Sequence, residues 1–174
     1  QKMCKNANHQ GFLAEVDDYE LHPYKSFLNK DFILVLANLT DVGNIGAIVR
    51  SAYALGVDGI IVSGIKNLAI EPVLRTSTGA LFDMPLALEH NILDVLNDFK
   101  TSGFTLYGAD MGGEDIRDVK VEQKRVLVLS SEGEGLTARV RSKLDKVVGI
   151  KMLHEFDSLN VSVAGAILID RMRI

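Results

Sequence analysis

Short runs that are apolar at consecutive positions constrain this chain's fold more than any other feature. Phe32-Ile33-Leu34-Val35-Leu36 and Val126-Leu127-Val128-Leu129 are the strongest. A strand apolar on both faces must be covered on both faces, which is the habit of parallel sheets. Gly59 to Val62, Met84 to Leu88, Phe104 to Ala109 and Val147 to Ile150 read as further strands. Helical stretches lie between them. Ile45, Ile48, Val49, Ala52 and Leu55 form an apolar stripe at helical spacing, with Asp41 or Asn44 able to cap the start and Gly56 suited to the end. Ile70 to Thr78 reads as a short helix ending at Gly79, and Ile92 to Phe99 as an amphipathic one. Strands alternating with helices predict an α/β fold, a parallel sheet with helices on both faces.

The remaining segments are less regular. Residues 1 to 11 read as a linker or tail remaining from a longer chain, since they are polar and aperiodic. Phe12 to Val16 reads as a short strand, Asp17 to Pro23 as a polar break, and Tyr24 to Leu28 as one helical turn. A polar loop holding Gly112 and Gly113 is expected after Ala109. The last third joins the run ending at Leu129 to a Gly-rich turn, Ser130-Ser131-Glu132-Gly133-Glu134-Gly135, then a charged helical segment and the run ending at Ile150. It closes on a helix apolar nearly all round, along which Ser158, Ser162 and Ala166 predict a narrow seam of small residues. Such a seam admits another backbone, a partner helix or a flat ligand.

At 174 residues the chain fits one domain. No apolar run approaches the roughly 18 residues of a spanning helix. The single cysteine, Cys4, excludes an intrachain disulfide and fits a reducing cytoplasm. A net charge of −4 is not the basic footprint of a free-standing nucleic-acid binder, although Arg139, Arg141, Lys143 and Lys146 cluster after the Gly-rich turn. A solvated helix face is the simple account of that cluster.

Several chemistries are poorly served. Gly133-x-Gly135-x-x-Ala138 loosely matches a dinucleotide fingerprint. Glu132 and Glu134 would compete with a pyrophosphate at that helix start. His9, His22, His90 and His154 lack metal-ligand spacing, so no metal is expected. No Gly-x-Ser-x-Gly turn and no Walker-type phosphate loop occurs. A scaffold or dimerisation module remains the non-enzyme reading. It leaves unexplained why polar groups gather at strand ends around Asn44/Arg50, Ser131/Glu132 and Ser158/Asn160, where open α/β sheets place ligands. For Arg50 a surface ion pair is the simpler account on spacing alone.

At those same places the chain resembles the SpoU (TrmH-type) family of RNA ribose 2′-O-methyltransferases in the SPOUT superfamily. The resemblance rests on Asn44-Ile45-Gly46-Ala47-Ile48-Val49-Arg50-Ser51-Ala52, on Leu127 to Leu136, and on Ile150-Lys151-Met152 leading to Ser158-Leu159-Asn160-Val161-Ser162-Val163-Ala164. Ser77-Thr78-Gly79-Ala80 looks like a family spacer. The resemblance implies residues 12–174 as a SPOUT catalytic domain whose C-terminal segment threads a trefoil knot. It implies S-adenosyl-L-methionine as methyl donor, an RNA ribose 2′-hydroxyl as acceptor, and a homodimer with its sites near the subunit interface. Ribosomal RNA is the expected substrate, since His9-Gln10-Gly11 resembles a junction in that group; transfer RNA is the other.

Carried over residue by residue, the match implies Asn44 and Arg50 on the acceptor side, Glu132 beside the donor, and Asn160, with Ser158, supporting the reacting centre. Leu129, Ser130, Gly133, Ile150, Met152, Ser158 and Leu159 would form the donor slot. Holding the hydroxyl in line, about 3 to 3.5 Å from the methyl, supplies several kcal/mol by positioning alone. Arg50, a planar fork of donors with no acceptor, suits alkoxide stabilisation or a phosphate clamp better than a literal base role. Ser130 stands where family members carry Gly, Val42-Gly43 replaces a Pro-containing turn, and Leu153-His154-Glu155-Phe156 is bulkier than the usual link. A base-directed methyltransferase of the superfamily and a catalytically silent RNA-binding relative are the alternatives.

Overall fold

The computed structural model of the chain describes residues 17–131, 135–155 and 158–174. The expected strand at Phe12 to Val16, the His9-Gln10-Gly11 junction, Glu132 and Gly133 lie outside the described residues. In chain order the elements are β1 (Phe32–Ala37), α1 (Val42–Ala54), β2 (Gly59–Ser63), α2 (Ile70–Thr76), β3 (Leu86–Glu89), α3 (Ile92–Thr101), β4 (Thr105–Asp115), β5 (Arg125–Ser130), α4 (Ala138–Arg141), β6 (Lys146–Gly149) and α5 (Val161–Arg171). Short 3-10 turns cover Tyr24–Phe27 and Ala80–Phe82.

The strands form one sheet in the order β3-β2-β1-β5-β4-β6, every pairing parallel. Strands β1 to β3 step outward in one direction, and the second half builds on the other side of β1. The order reverses between β1 and β5, the point at which open α/β sheets form a crevice.

Alternation along the strands divides the core between two faces. Leu34, Leu36, Ile60, Val62, Leu127 and Leu129 pack with Ile45, Ile48, Val49 and Ala52 of α1, Val73 of α2, and Leu168 and Ile169 of α5. Ile33, Val35, Ile61, Val126 and Val128 pack on the opposite side with Val95, Leu96 and Phe99 of α3 and Val140 of α4. The expected layers are therefore present, with helices on both faces.

Two expectations are corrected. The polar loop after Ala109 is shorter than expected and sits inside β4: Asp110 to Gly113 loop out of the ladder, and Glu114 and Asp115 pair again with Val148 and Gly149 of β6. Backbone pairing overrides the polar composition there. The proposed seam also fails, since α5 starts at Val161 and Ser158 precedes it. The close approach on α5 is at Gly165, where a Cβ would stand 2.8 Å from Leu129 Cδ1.

Candidate active site

Pairing of β1 with β5 ends at Ala37 and Ser130, and pairing of β4 with β6 ends at Gly149. The chain beyond these points leaves the ladder, so its backbone polar groups must find partners outside it. Between them lies a hollow of about 230 Å³. Leu129, Ser130, Ile150, Met152, Ser158 and Leu159 all line it, so the described residues of the expected donor slot converge. Val148, Val161, Ala164 and Leu168 add apolar surface.

Ala109, Asp110 and Met111 form a wall that the sequence reading missed, while Ser131 and Gly135 of the expected Gly-rich turn also line the hollow. The glycines following Ala109 were the available signal, because a Gly pair at a strand's C-terminal end marks a bend beside a strand-end crevice.

Two helix starts meet at the edge of this hollow. Asp41 caps α1, accepting the Asn44 N–H at 2.7 Å. Asn160 caps α5, its Oδ1 accepting the Ser162 N–H at 3.0 Å and the Ser162 hydroxyl at 2.6 Å. Asn160 Nδ2 then donates to Asn44 Oδ1 at 3.0 Å, joining the α5 cap to the first turn of α1. Asn160 sits between Leu159 and Val161, both of which line the hollow. Each helix N-terminus carries roughly half a positive charge, so the junction favours an anion or a developing oxyanion.

Arg50 stands apart from the hollow. It is exposed on α1, six residues beyond Asn44, which is about 9 Å along the axis. No hydrogen bond or ion pair engages it among the described residues. On the β4 wall, Asp110 pairs with Arg141 of α4, and that hydrogen bond holds the Asp110 carboxyl below the ordinary carboxylate range. Among the described residues no group of three His, Cys, Asp or Glu side chains is placed to hold a metal ion, and no helix is long and apolar enough to cross a membrane.

Residues 31–170 match the model of the SpoU rRNA Methylase family. A Staphylococcus haemolyticus protein assigned to the TrmH family of tRNA/rRNA methyltransferases is 33% identical across 94% of this chain and 69% of its own length. The SpoU methyltransferase AviRb from Streptomyces viridochromogenes, solved in complex with the cofactor AdoMet, superposes with a TM-score of 0.74 at 31% identity, over 83% of this chain and 57% of that one. An RNA 2′-O ribose methyltransferase superposes with a TM-score of 0.74 at 29% identity, over 91% and 59%. The chain thus spans less than two thirds of these solved relatives. With the match covering the sheet, the hollow and both helix caps, the chain belongs to the SpoU family of RNA methyltransferases.

Proposed function

We propose that this chain transfers a methyl group from S-adenosyl-L-methionine to a ribose 2′-hydroxyl of RNA, with ribosomal RNA the leading substrate and transfer RNA the other. The observation that carries the reading is the apolar strand-end hollow opening beside the Asn44–Asn160 junction. The hollow fits the donor in kind: Leu129, Val148, Ile150 and Leu159 offer an apolar slot, and the strand ends offer backbone hydrogen-bonding groups. When bound, the donor supplies an electrophilic methyl on a sulfonium.

The chain's own residues orient and stabilise. Asn160, locked by Ser162 and Asn44, positions groups at the mouth of the slot. Its tie uses the Asn44 carbonyl oxygen and leaves the Asn44 amide N–H groups to donate to an acceptor oxygen. The paired helix starts would favour the negative charge that develops on the 2′-oxygen as it gives up its proton to water and attacks the methyl carbon. Arg50, Glu132 and Gly133 keep the roles the family resemblance implies. Arg50 serves as alkoxide stabiliser or phosphate clamp.

A homodimer accounts for the exposed position of Arg50. Tyr53 on α1 and Val163 and Ile167 on α5 are 48%, 48% and 36% exposed, which is apolar surface on the two helices that meet at the candidate site. A second copy seated there would bring its α1, with Arg50, toward the site. The placement of α5 beside α1, after β6 at the sheet's far edge, supports the threaded C-terminal loop of the SPOUT knot.

Mapping ribose methylation in total RNA from cells with and without this gene tests the assignment. The expected result is one ribose that resists alkaline cleavage only when the gene is present. A modified base at an otherwise cleavable ribose would reassign the acceptor, and identical ribose maps would refute ribose methylation by this chain.

A further inference from the structure

The sheet's irregularity lies against the hollow. β4 and β6 pair from Tyr107/Lys146 to Ala109/Val148, and pairing resumes with Glu114 opposite the same Val148. Asp110, Met111, Gly112 and Gly113 are looped out of the ladder. The loop returns tightly: a Cβ on Gly113 would stand 2.4 Å from the Val148 carbonyl carbon, and one on Gly149 would stand 2.6 Å from the Asp110 carbonyl oxygen. Asp110 and Met111 then wall the hollow, while Ser131 and Gly135 of the β5–α4 connection form another part of its lining.

One carboxylate links these two walls. Asp110 Oδ1 accepts the Gly112 N–H at 3.2 Å, closing the loop on itself. Asp110 Oδ2 accepts from Arg141 Nη2, which fastens the loop to α4. The same connection is held below by Leu136, which packs toward the space left by Gly108, where a Cβ would stand 2.7 Å from its Cδ1. Among the described residues, the Arg141 contact is the one hydrogen bond or ion pair joining residues 110–113 to α4.

We infer that the Asp110–Arg141 pair is a clasp that sets the width of the methyl-donor slot, with Asp110 a positioning residue rather than a ligand to the donor. The inference rests on the reading of the hollow as the donor site. A half-exposed ion pair contributes little to global stability. A looped-out wall freed from its tether must instead be ordered when the donor binds, which weakens affinity.

Isothermal titration with S-adenosylhomocysteine tests this in wild type, Asp110→Asn, Arg141→Gln, the double variant and Lys25→Met. The last is a control that breaks the Lys25–Asp98 pair at 3.9 Å elsewhere on the surface. Each clasp variant should weaken binding about three- to tenfold, and the double variant no further than the weaker single. Lys25→Met should bind as wild type. With radiolabelled S-adenosylmethionine and total RNA from cells lacking the gene, KM for the donor should rise by the same factor while kcat holds. Binding by Arg141→Gln equal to wild type, multiplicative losses in the double variant, or a fall in kcat at unchanged KM would each overturn the clasp. Should Asp110→Asn fail to fold, the exposed Arg141→Gln still decides. A wild-type chain that binds no S-adenosylhomocysteine would instead overturn the donor reading itself.

Discussion

Gly165→Ala places one methyl group between α5 and the hollow, and its two effects oppose each other. The new Cβ would stand 2.8 Å from Leu129 Cδ1 and 3.8 Å from Ile48 Cγ1. Ordinary carbon contacts lie near 3.5 to 4.0 Å, so Leu129 must retreat by roughly 0.7 to 1.2 Å. Its backbone cannot move, since it is held in register opposite Leu36 of β1. The adjustment therefore falls on its side-chain torsions, at about 0.5 to 1.5 kcal/mol. Replacing glycine inside a helix returns about 0.8 to 1 kcal/mol. Folding stability should thus change by no more than about 1 kcal/mol in a urea titration. Affinity has no such compensation, because Leu129 lines the hollow and its displaced methyl enters space a ligand needs. Overpacking of that size costs about 1 to 3 kcal/mol, a roughly five- to 150-fold weaker binding of S-adenosylhomocysteine by titration calorimetry. Wild-type affinity in a folded Gly165→Ala chain would refute both the packing argument and the assignment of the slot.

Gly113→Ala should be far more disruptive to folding, because its Cβ meets Val148 backbone atoms at 2.4, 2.7 and 2.8 Å, and a loss of more than about 2 kcal/mol in urea unfolding is expected. Asn160→Ala removes the α5 cap and the link to Asn44, so stability should fall by about 1 kcal/mol in the same assay while methyl incorporation into RNA is lost. Arg50→Ala should abolish turnover with S-adenosylhomocysteine affinity unchanged, and stability should stay within about 0.5 kcal/mol because the side chain is exposed. The Asp110 carboxyl lies below its ordinary value of 3.8, chiefly through its hydrogen bond from Arg141. Its contribution is complete above that ordinary value and is lost as pH falls through the lower folded value. The difference in Tm between wild type and Asp110→Asn should therefore be level from about pH 8 to about pH 5 and close on further acidification; a difference that widens in acid would reverse the sign.

The layers were legible because buried parallel strands advertise themselves. Phe32 to Leu36 and Val126 to Leu129 are apolar at every position, and each is wholly buried or nearly so. The stripe on α1 likewise matches the residues that pack on the sheet, Ile45, Ile48, Val49 and Ala52. The second half of β4 was not legible. Residues 110 to 115 are mostly polar or glycine and partly exposed; 110 to 113 loop out of the ladder, and Glu114 and Asp115 rejoin it only because β6 supplies backbone partners. The start of α5 misled for a related reason. Periodicity treats Ser158 to Ile169 as one helix, whereas Asn160 bonds the Ser162 N–H and turns the chain before it.

The location of the site was open to inference while its geometry was not, and the parallel sheet accounts for both. When every strand points the same way, the segments leaving β1, β5 and β6 all emerge at one edge, whatever their separation in sequence. That places the residues after Ala37, Ser130 and Gly149 together on topology alone. Which atoms then touch depends on contacts no local pattern encodes. The Asn160–Asn44 bond spans 116 positions, and the Asp110–Arg141 pair spans 31. Both join elements whose meeting is decided by packing: α5 against α1 through shared burial of Leu168 and Ile48, and α4 against β4 through Leu136 over Gly108. Polar residues at such a site therefore have chemistry set by position within a packed frame. Substituting the frame, as at Gly165 or Gly113, should alter the site as surely as substituting Asn160 itself.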